Sequence, residues 1–221
     1  MNLLRKPFAL SKSILRGMSQ NKTASTMSTQ ARKDSAKRIV WVDLEMTGLN
    51  IDKDHILEIA CLVTDADLNL VATGPNLVIH QPDSILNNMD SWCIATHGES
   101  GLTEASRKSK ISLKEAEKQV LEFVSAHVPE KKSPLGGNSV YMDRLFLRKY
   151  MPSFDLYLHY RIIDVSTIKE LARRWYQKEY STIPKKKFQH RSIDDIFESI
   201  AELRYYRNNI FKLENNTDID N

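Results

Sequence analysis

Two acidic residues follow an apolar segment near residue 40. Residues 38–44 are rich in β-branched side chains, which predicts a buried strand. Asp43 lies near the end of this segment, and Glu45 directly follows it. Because side chains alternate along a strand, Asp43 and Glu45 are expected on one face. Buried like charges repel each other and lose hydration, and a divalent cation offsets both costs. The pair therefore indicates a metal site, although solvated strand ends also carry such pairs.

Further aspartates lie where two helices are predicted to begin. Asp143 stands at the start of one helix, and Asp194 and Asp195 open the last helix of the chain. Each has a simpler interpretation, because acids at a helix start cap it or complement its dipole. Asp194 is better placed than Asp195 for capping. Asp195 directly precedes the apolar Ile196, and it is the stronger ligand candidate.

Four carboxylates at element ends form a set of hard oxygen ligands, namely Asp43, Glu45, Asp143 and Asp195. Mg²⁺ and Mn²⁺ prefer such ligands, and two ions about 3.5–4 Å apart form the clamp for an in-line phosphoryl displacement. His190 adds a proton acceptor that works near neutrality, since the unperturbed pKa of histidine is about 6.5. By taking a proton from the attacking water, His190 would act as the general base.

The elements that must position these residues follow an α/β pattern. Three segments predict an antiparallel meander, at 38–44, 56–63 and 68–80, and the third is expected to break at Gly74-Pro75. Short strands and helices then alternate, with strands at 135–140 and 162–165 and helices at 113–127, 144–150, 167–178 and 193–211. This order predicts a single α/β domain in which helices flank a mixed β-sheet.

The charge of the chain is unevenly distributed. The 221 residues carry a formal net charge of +4, but the first 38 hold nine basic residues and one acid, which leaves −4 for the remainder. A nucleic-acid role must therefore be argued from a site rather than from global charge. The strongest apolar run, residues 59–63, is far shorter than the roughly 18 residues of a membrane span. Two cysteines do not suffice for a disulfide framework or a cysteine-based zinc site.

Residues 1–36 have the profile of a mitochondrial transit peptide. They contain one acid, Asp34, and their serines and basic residues are interspersed with apolar residues that would line one face of a short helix. This predicts a mitochondrial-matrix protein, and the alternative is a disordered basic extension. Initiation at Met18 or Met27 would remove most of the segment and leave a cytosolic or nuclear form. The folded domain is expected at 37–212, before a polar tail at 213–221.

Three motifs resemble those of the oligoribonuclease family, the 3′-to-5′ exoribonucleases of the DEDDh group. They are residues 41–49 (WVDLEMTGL), 137–144 (GNSVYMDR) and 190–195 (HRSIDD), and the resemblance extends over about residues 38–211. It implies an RNase H-like fold for the exonuclease domain at 37–212, two divalent ions, Mg²⁺ or Mn²⁺, and a homodimer. The implied activity is degradation of very short RNA, above all dinucleotides, to 5′-mononucleotides.

The same resemblance implies six substrate contacts. Leu49 would be an apolar wedge between two bases, and Trp92 would stack on a base, an interaction worth roughly 1–3 kcal/mol. The others would hold the 5′ phosphate and close the pocket behind the second nucleotide, namely His97, Ser139, Arg161 and a Tyr160 donated by the partner subunit. A closed end excludes longer chains. Without the resemblance, each of the six is an ordinary packing or surface residue.

Two other functions share part of this pattern. A proofreading-like DNA 3′ exonuclease can carry the same acids, and matched DNA and RNA ends would distinguish it. An RNA-binding module with an inactive site is a non-enzymatic alternative. The module is disfavoured because all five catalytic residues are present, namely Asp43, Glu45, Asp143, His190 and Asp195.

Overall fold

A five-stranded mixed sheet forms the centre of the computed structural model, which describes residues 33–184 and 191–212. Its strands are β1 (Ile39–Met46), β2 (Ile56–Thr64), β3 (Leu70–Val78), β4 (Leu135–Gly137) and β5 (Ile162–Asp164). Their spatial order is β3-β2-β1-β4-β5. The first three strands pair antiparallel, whereas β4 is parallel to β1 and β5 is parallel to β4.

Helices lie on both faces of this sheet, which confirms the predicted fold class. In chain order they are α1 (Asp83–Leu86), α2 (Ser91–Glu99), α3 (Leu102–Lys108), α4 (Leu113–His127), α5 (Tyr141–Tyr150), α6 (Pro152–Tyr157), α7 (Val165–Trp175), α8 (Gln177–Ser181) and α9 (Ser192–Asn209). None of the helices in the described part of the chain has the length and apolar content needed to cross a membrane.

The two faces of β1 pack into separate cores. Val40, Val42 and Leu44 point into a core shared with α4, α5 and α6. Ile39 and Trp41 point into a second core, against α7 and α9. Because both faces are covered, the central strands are apolar along most of their length, and all nine residues of β2 are buried.

The third strand does not break at Gly74-Pro75, contrary to the prediction. β3 runs on from Leu70 to Val78, and its pairing with β2 shifts register opposite Cys61. Pro75 is tolerated because β3 is an edge strand, where a missing N–H interrupts little of the ladder. Gly74 is needed for space, since a Cβ there would lie 2.5 Å from the Phe123 ring.

Two parts of the helical layer also differ from the sequence prediction. The helix expected over 167–178 ends at Trp175, because Tyr176 has a non-helical backbone (φ −133°, ψ 58°), and α8 follows. Helices α1 to α3 were not predicted. One local signal for α2 was present, since the Asp90 side chain caps it by accepting the Cys93 N–H at 2.8 Å.

Candidate active site

Three of the four predicted metal ligands lie together near the end of β1. Asp43, Glu45 and Asp195 each place an oxygen within 4.8 Å of the others. Asp43 and Glu45 continue the face of β1 that carries Trp41, and Asp195 lies in the first turn of α9, which packs on that face. Alternation along β1 therefore directs both acids towards α9. These three residues are named the carboxylate cluster.

Asp143 adjoins the carboxylate cluster but lies outside the group that meets within 4.8 Å. It is buried in the first turn of α5, and its Oδ1 accepts the Leu44 N–H at 2.9 Å. Strand β4 pairs with β1 at Val40 and Trp41, so further along β1 helix α5 supplies the acceptor that a longer β4 would have provided. The hydrogen bond fixes Asp143 beside β1.

Burial and the repulsion of nearby carboxylates raise the pKa values of two of these acids, Glu45 and Asp143. The pKa of Glu45 rises to about 8, mainly through burial and then through the charges of Asp195, Glu58 and Asp143. Burial raises the pKa of Asp143 to about 7, against the hydrogen bond from Leu44. A nearby positive charge would stabilise the ionised form of these crowded carboxylates. A donor set made only of oxygens suits Mg²⁺ or Mn²⁺. The residues present therefore fit a divalent metal.

Glu58 is a buried acid of this region that the sequence analysis did not identify. It lies opposite Glu45 in the β1–β2 ladder and is fully buried. An Arg191 guanidinium nitrogen donates to its Oε1 at 2.9 Å, and the Ser192 N–H donates to its Oε2 at 3.4 Å. Glu58 thereby ties the start of α9 to β2 and holds Asp195 near β1. An acid inside the apolar segment 56–63 was the available signal.

His97 lies beside Glu45 rather than at the protein surface. Its side chain is 1% exposed, with Nε2 2.9 Å from the Met46 carbonyl oxygen and Nδ1 4.0 Å from a Glu45 carboxyl oxygen. When Nε2–H donates to the carbonyl, Nδ1 is the acceptor that faces Glu45. The structure thus places His97 next to the carboxylate cluster, and its contact with a 5′ phosphate stays a prediction.

A cavity of about 390 Å³ extends from Glu45 to the predicted base-contacting residues. Glu45, Leu49, Trp92 and His97 are among the residues that line it. Leu49 and Trp92 are large apolar side chains that are 67% and 60% exposed, so neither serves the core. A larger cavity of about 700 Å³ lies along α4 and is lined mostly by side chains of that helix, both charged and uncharged. The smaller cavity is the functional candidate because it contains Glu45.

The loop that carries Leu49 is fixed by Asp54. The Asp54 carboxylate accepts the Thr47 hydroxyl at 3.0 Å and the Asn50 N–H at 2.9 Å. Gly48 allows this close approach, since a Cβ at Gly48 would lie 2.4 Å from an Asp54 oxygen. Leu49 is therefore held at the cavity by a constrained turn, and the sequence analysis did not identify Asp54.

Besides His97, three residues are predicted to close the phosphate end of the pocket. They are Ser139, Tyr160 and Arg161, named the phosphate-end residues. Ser139 is exposed and follows β4, whereas Tyr160 and Arg161 precede β5. Because β4 and β5 are parallel, with Gly137 beside Asp164, these positions lie at opposite ends of the strand pair. The described part of one chain does not bring the three residues together. Tyr160 lines a different cavity, of about 490 Å³, with Arg148 and His159.

The remaining catalytic prediction falls outside the described residues. His190 belongs to the stretch 185–190, so its role as general base stays a prediction. The start sites Met18 and Met27, most of the segment 1–36 and all of the segment 213–221 also lie outside the described residues.

Comparison with known proteins identifies the family of this chain. The Exonuclease family profile matches residues 40–203. The chain is 59% identical to the mitochondrial oligoribonuclease of Homo sapiens over 182 residues, which cover 82% of this chain and 77% of that protein. It is 58% identical to a probable oligoribonuclease of Dictyostelium discoideum, over 86% of this chain and 99% of that protein. The oligoribonuclease of Marinobacter nauticus is 53% identical to this chain, over 80% of this chain and 97% of that protein.

Solved structures of exonuclease I have a similar fold. The enzyme from Methylocaldum szegediense superimposes with a TM-score of 0.60 at 16% identity, over 78% of this chain and 41% of that chain. An E. coli exonuclease I complex with single-stranded DNA gives a TM-score of 0.61 at 14% identity. The superposition covers 79% of this chain and 40% of that chain. The chain spans about two fifths of these larger proteins. The fold is RNase H-like, and from the sequence relatives and the family profile together, the chain belongs to the oligoribonuclease family of exonucleases.

Proposed function

We propose that this protein is a metal-dependent 3′-to-5′ exoribonuclease that degrades very short RNAs, above all dinucleotides, to 5′-mononucleotides. The observation that carries this proposal is that Glu45, a member of the carboxylate cluster, lines the same cavity as Leu49 and Trp92. Acids suited to phosphodiester hydrolysis adjoin exposed apolar groups suited to bases. The relatives named oligoribonuclease support the same activity.

Four carboxylates would hold the metal. The carboxylate cluster already brings together Asp43, Glu45 and Asp195. Asp143 lies beside the cluster, because its carboxylate accepts the Leu44 N–H of β1. We assign two ions, Mg²⁺ or Mn²⁺, to these residues. When bound, the ions supply positive charge that stabilises the attacking and leaving oxygens of the displacement. The raised pKa values of Glu45 and Asp143 support this assignment, since bound cations would keep both carboxyls ionised at neutral pH.

The protein's own groups orient the substrate and move the proton. Trp92 stacks on one base and Leu49 separates the two bases, so the scissile phosphate is held next to Glu45. His190 takes a proton from the attacking water, which makes it the general base. His97, buried between Met46 and Glu45, holds the wall of the cavity.

A homodimer would complete the phosphate end. Tyr160 is 74% exposed and its neighbour Leu156 is 68% exposed, and exposed apolar side chains of this size are suited to an interface. We propose that the partner subunit's Tyr160 joins Ser139 and Arg161 at the 5′ phosphate. Cationic and hydroxyl donors suit a terminal phosphate, and a closed end limits the length of the RNA.

The proposal extends to localisation. The acid-poor segment 1–36 and the relatives named mitochondrial support import into the mitochondrial matrix, with residues 37–212 as the exonuclease domain. An internal start at Met18 or Met27 would yield a cytosolic or nuclear form. Imaging of tagged full-length protein and of a version that starts at Met27 tests this, and identical distributions would contradict it.

Hydrolysis of matched RNA and DNA dinucleotides in Mg²⁺ tests the proposed activity. The expected result is release of 5′-mononucleotides from RNA and its loss in Asp143→Ala. Faster hydrolysis of the DNA dinucleotide would favour the proofreading-like alternative. Tight RNA binding without hydrolysis would favour the binding module.

A further inference from the structure

Helix α9 carries a buried carboxylate, Glu202, that the proposed mechanism does not use. Glu202 is 3% exposed and lies seven residues after Asp195, which places both on the same side of the helix. Ser199 and Tyr206 belong to the same stripe. A buried carboxylate is costly unless hydrogen bonds and charges compensate it, so the contacts of Glu202 indicate what it does.

Glu202 is contacted from α9 itself, from α7 and from the turn between β4 and α5. The Tyr206 hydroxyl of α9 donates to its Oε1 at 2.8 Å, and the Lys169 ammonium of α7 lies 3.5 Å from the same oxygen. The Asn138 amide, in the turn between β4 and α5, donates to Oε2 at 3.3 Å. The contacts from Tyr206 and Lys169 stabilise the negative charge of Glu202. The contact from Asn138 connects Glu202 to the sequence motif at 137–144.

Asn138 connects Glu202 to Ser139, the next residue in the chain. Its amide nitrogen also donates to the Ser199 hydroxyl at 2.8 Å, and its carbonyl oxygen accepts the Ser166 hydroxyl at 3.3 Å. The Ser139 N–H in turn donates to the Ser166 oxygen at 2.6 Å and to Asp164 at 2.9 Å. Asn138 is therefore fixed on both sides of its amide.

The backbone of Ser139 needs such support. Its φ is 52°, in the left-handed region that a residue other than glycine adopts at a cost. Its N–H is used inside the protein, while the residue itself is exposed. The hydroxyl, 3.0 Å from the Ser166 hydroxyl, is the group that can turn towards a ligand.

From this chain of contacts we propose that Glu202 is a positioning residue for the 5′-phosphate contact at Ser139. Through Asn138 it holds the turn after β4 against α9, so that the Ser139 hydroxyl faces the terminal phosphate of a dinucleotide. The inference rests on the proposed function, in which Ser139 is a phosphate-end residue. It adds a specificity-determining group that lies behind the pocket and does not touch the RNA.

The 5′-phosphate preference tests this inference. The probes are the RNA dinucleotides pApA and ApA, and the measured quantity is the ratio of their kcat/KM values, with their Kd values in EDTA as a second readout. Glu202→Gln keeps the shape and removes the charge. We expect it to lower the pApA/ApA ratio about tenfold, as for loss of a hydrogen-bonded restraint on one contact, with a smaller change in kcat for pApA.

Tyr206→Phe is the matched control. It removes a hydrogen bond from the opposite side of the Glu202 carboxylate and leaves Asn138 in place. It is expected to lower Tm while keeping the wild-type ratio within about twofold. Asn138→Ala, which cuts the link directly, should lower the ratio as Glu202→Gln does, and it serves as the test variant if Glu202→Gln does not fold.

The outcomes separate the inference from the function on which it rests. A wild-type protein that hydrolyses neither dinucleotide contradicts the exoribonuclease proposal. Hydrolysis of both at equal rates contradicts the phosphate role of Ser139 and, with it, the inference. A wild-type preference for pApA that survives in Glu202→Gln or in Asn138→Ala overturns the positioning role alone.

Discussion

At the carboxylate cluster, the fold of one chain brings distant residues together: β1 supplies Asp43 and Glu45, and α9 supplies Asp195. The phosphate-end residues differ, because Ser139 lies at one end of the β4–β5 pair and Tyr160 and Arg161 lie at the other. One half of the candidate site is thus formed within the chain, and the other half is divided. Under the proposed function, hydrolysis depends on residues of one chain, whereas selection of short RNA depends on a second copy.

The largest effect is expected inside the carboxylate cluster. Asp195→Asn should lower kcat/KM more than about 100-fold on RNA of every length, which exceeds the effect typical of residues that only support metal ligands. Asp194→Asn is the matched control, since Asp194 is the exposed neighbour in the same turn of α9. A steady-state assay on two- and ten-nucleotide RNA checks this. Similar losses in the two variants would show that Asp195 acts as a helix-end charge.

A smaller effect is expected at the base-binding cavity. Trp92→Ala should raise KM for a dinucleotide by about 5- to 150-fold, the equivalent of roughly 1–3 kcal/mol of stacking. Trp175→Ala is the control, because Trp175 is 68% exposed on α7 and does not line this cavity. Equal KM values for the two variants would contradict the stacking role.

Tyr160→Ala separates the two halves of the site. It should lower kcat/KM for the dinucleotide about tenfold and leave a ten-nucleotide RNA nearly unchanged, because only the short substrate presents its 5′ phosphate to this end. Tyr176→Ala, at another exposed tyrosine, is the control. Light scattering of the wild type provides the companion measurement, and a mass near 25.5 kDa would contradict the dimer.

A modest pH effect should distinguish the carboxylate cluster from the rest of the molecule. The pKa of Glu45 is raised from 4.5 to about 8, so between these values the folded protein binds a proton that the unfolded chain has released. The free energy of unfolding attributable to Glu45 therefore falls as pH rises through this window. In EDTA, Tm should therefore be lower at pH 8 than at pH 6. Each kcal/mol lost from the free energy of unfolding should lower Tm by about 2–4 °C. Added Mg²⁺ should offset this fall in Tm.

Glu45→Gln is the control for this pH dependence. It removes the titrating group, so the difference in Tm between pH 6 and pH 8 should shrink. An unchanged difference in this variant would assign the effect to other groups.

The sequence was sufficient to predict the parts of the site that depend on local pattern. Alternation along β1 placed Asp43 and Glu45 on one face, and the start of the last helix pointed to Asp195 rather than Asp194. The ion pair of the buried Glu58 with the partly exposed Arg191 was not predicted, because it joins residues 133 positions apart. The restraint of Glu202 on Asn138 was missed for the same reason, since such contacts follow from the packing of α9 on the sheet.

The continuation of β3 through Gly74-Pro75 was missed for a different reason. Gly74-Pro75 normally ends a strand, and only the position of β3 at the sheet edge makes the pair acceptable there. The division of the phosphate-end residues also required the structure, because it depends on the parallel register of β4 and β5.

The most direct test of the proposed division of labour is the length dependence of hydrolysis. The wild-type protein would be assayed in Mg²⁺ on 5′-labelled RNAs of two, three, five and ten nucleotides. A fall in kcat/KM of about tenfold or more beyond two nucleotides is the predicted result, since the closed phosphate end fits only the shortest chain. Equal values at all four lengths would retain the carboxylate chemistry and contradict the phosphate-end assignment of Ser139, Tyr160 and Arg161.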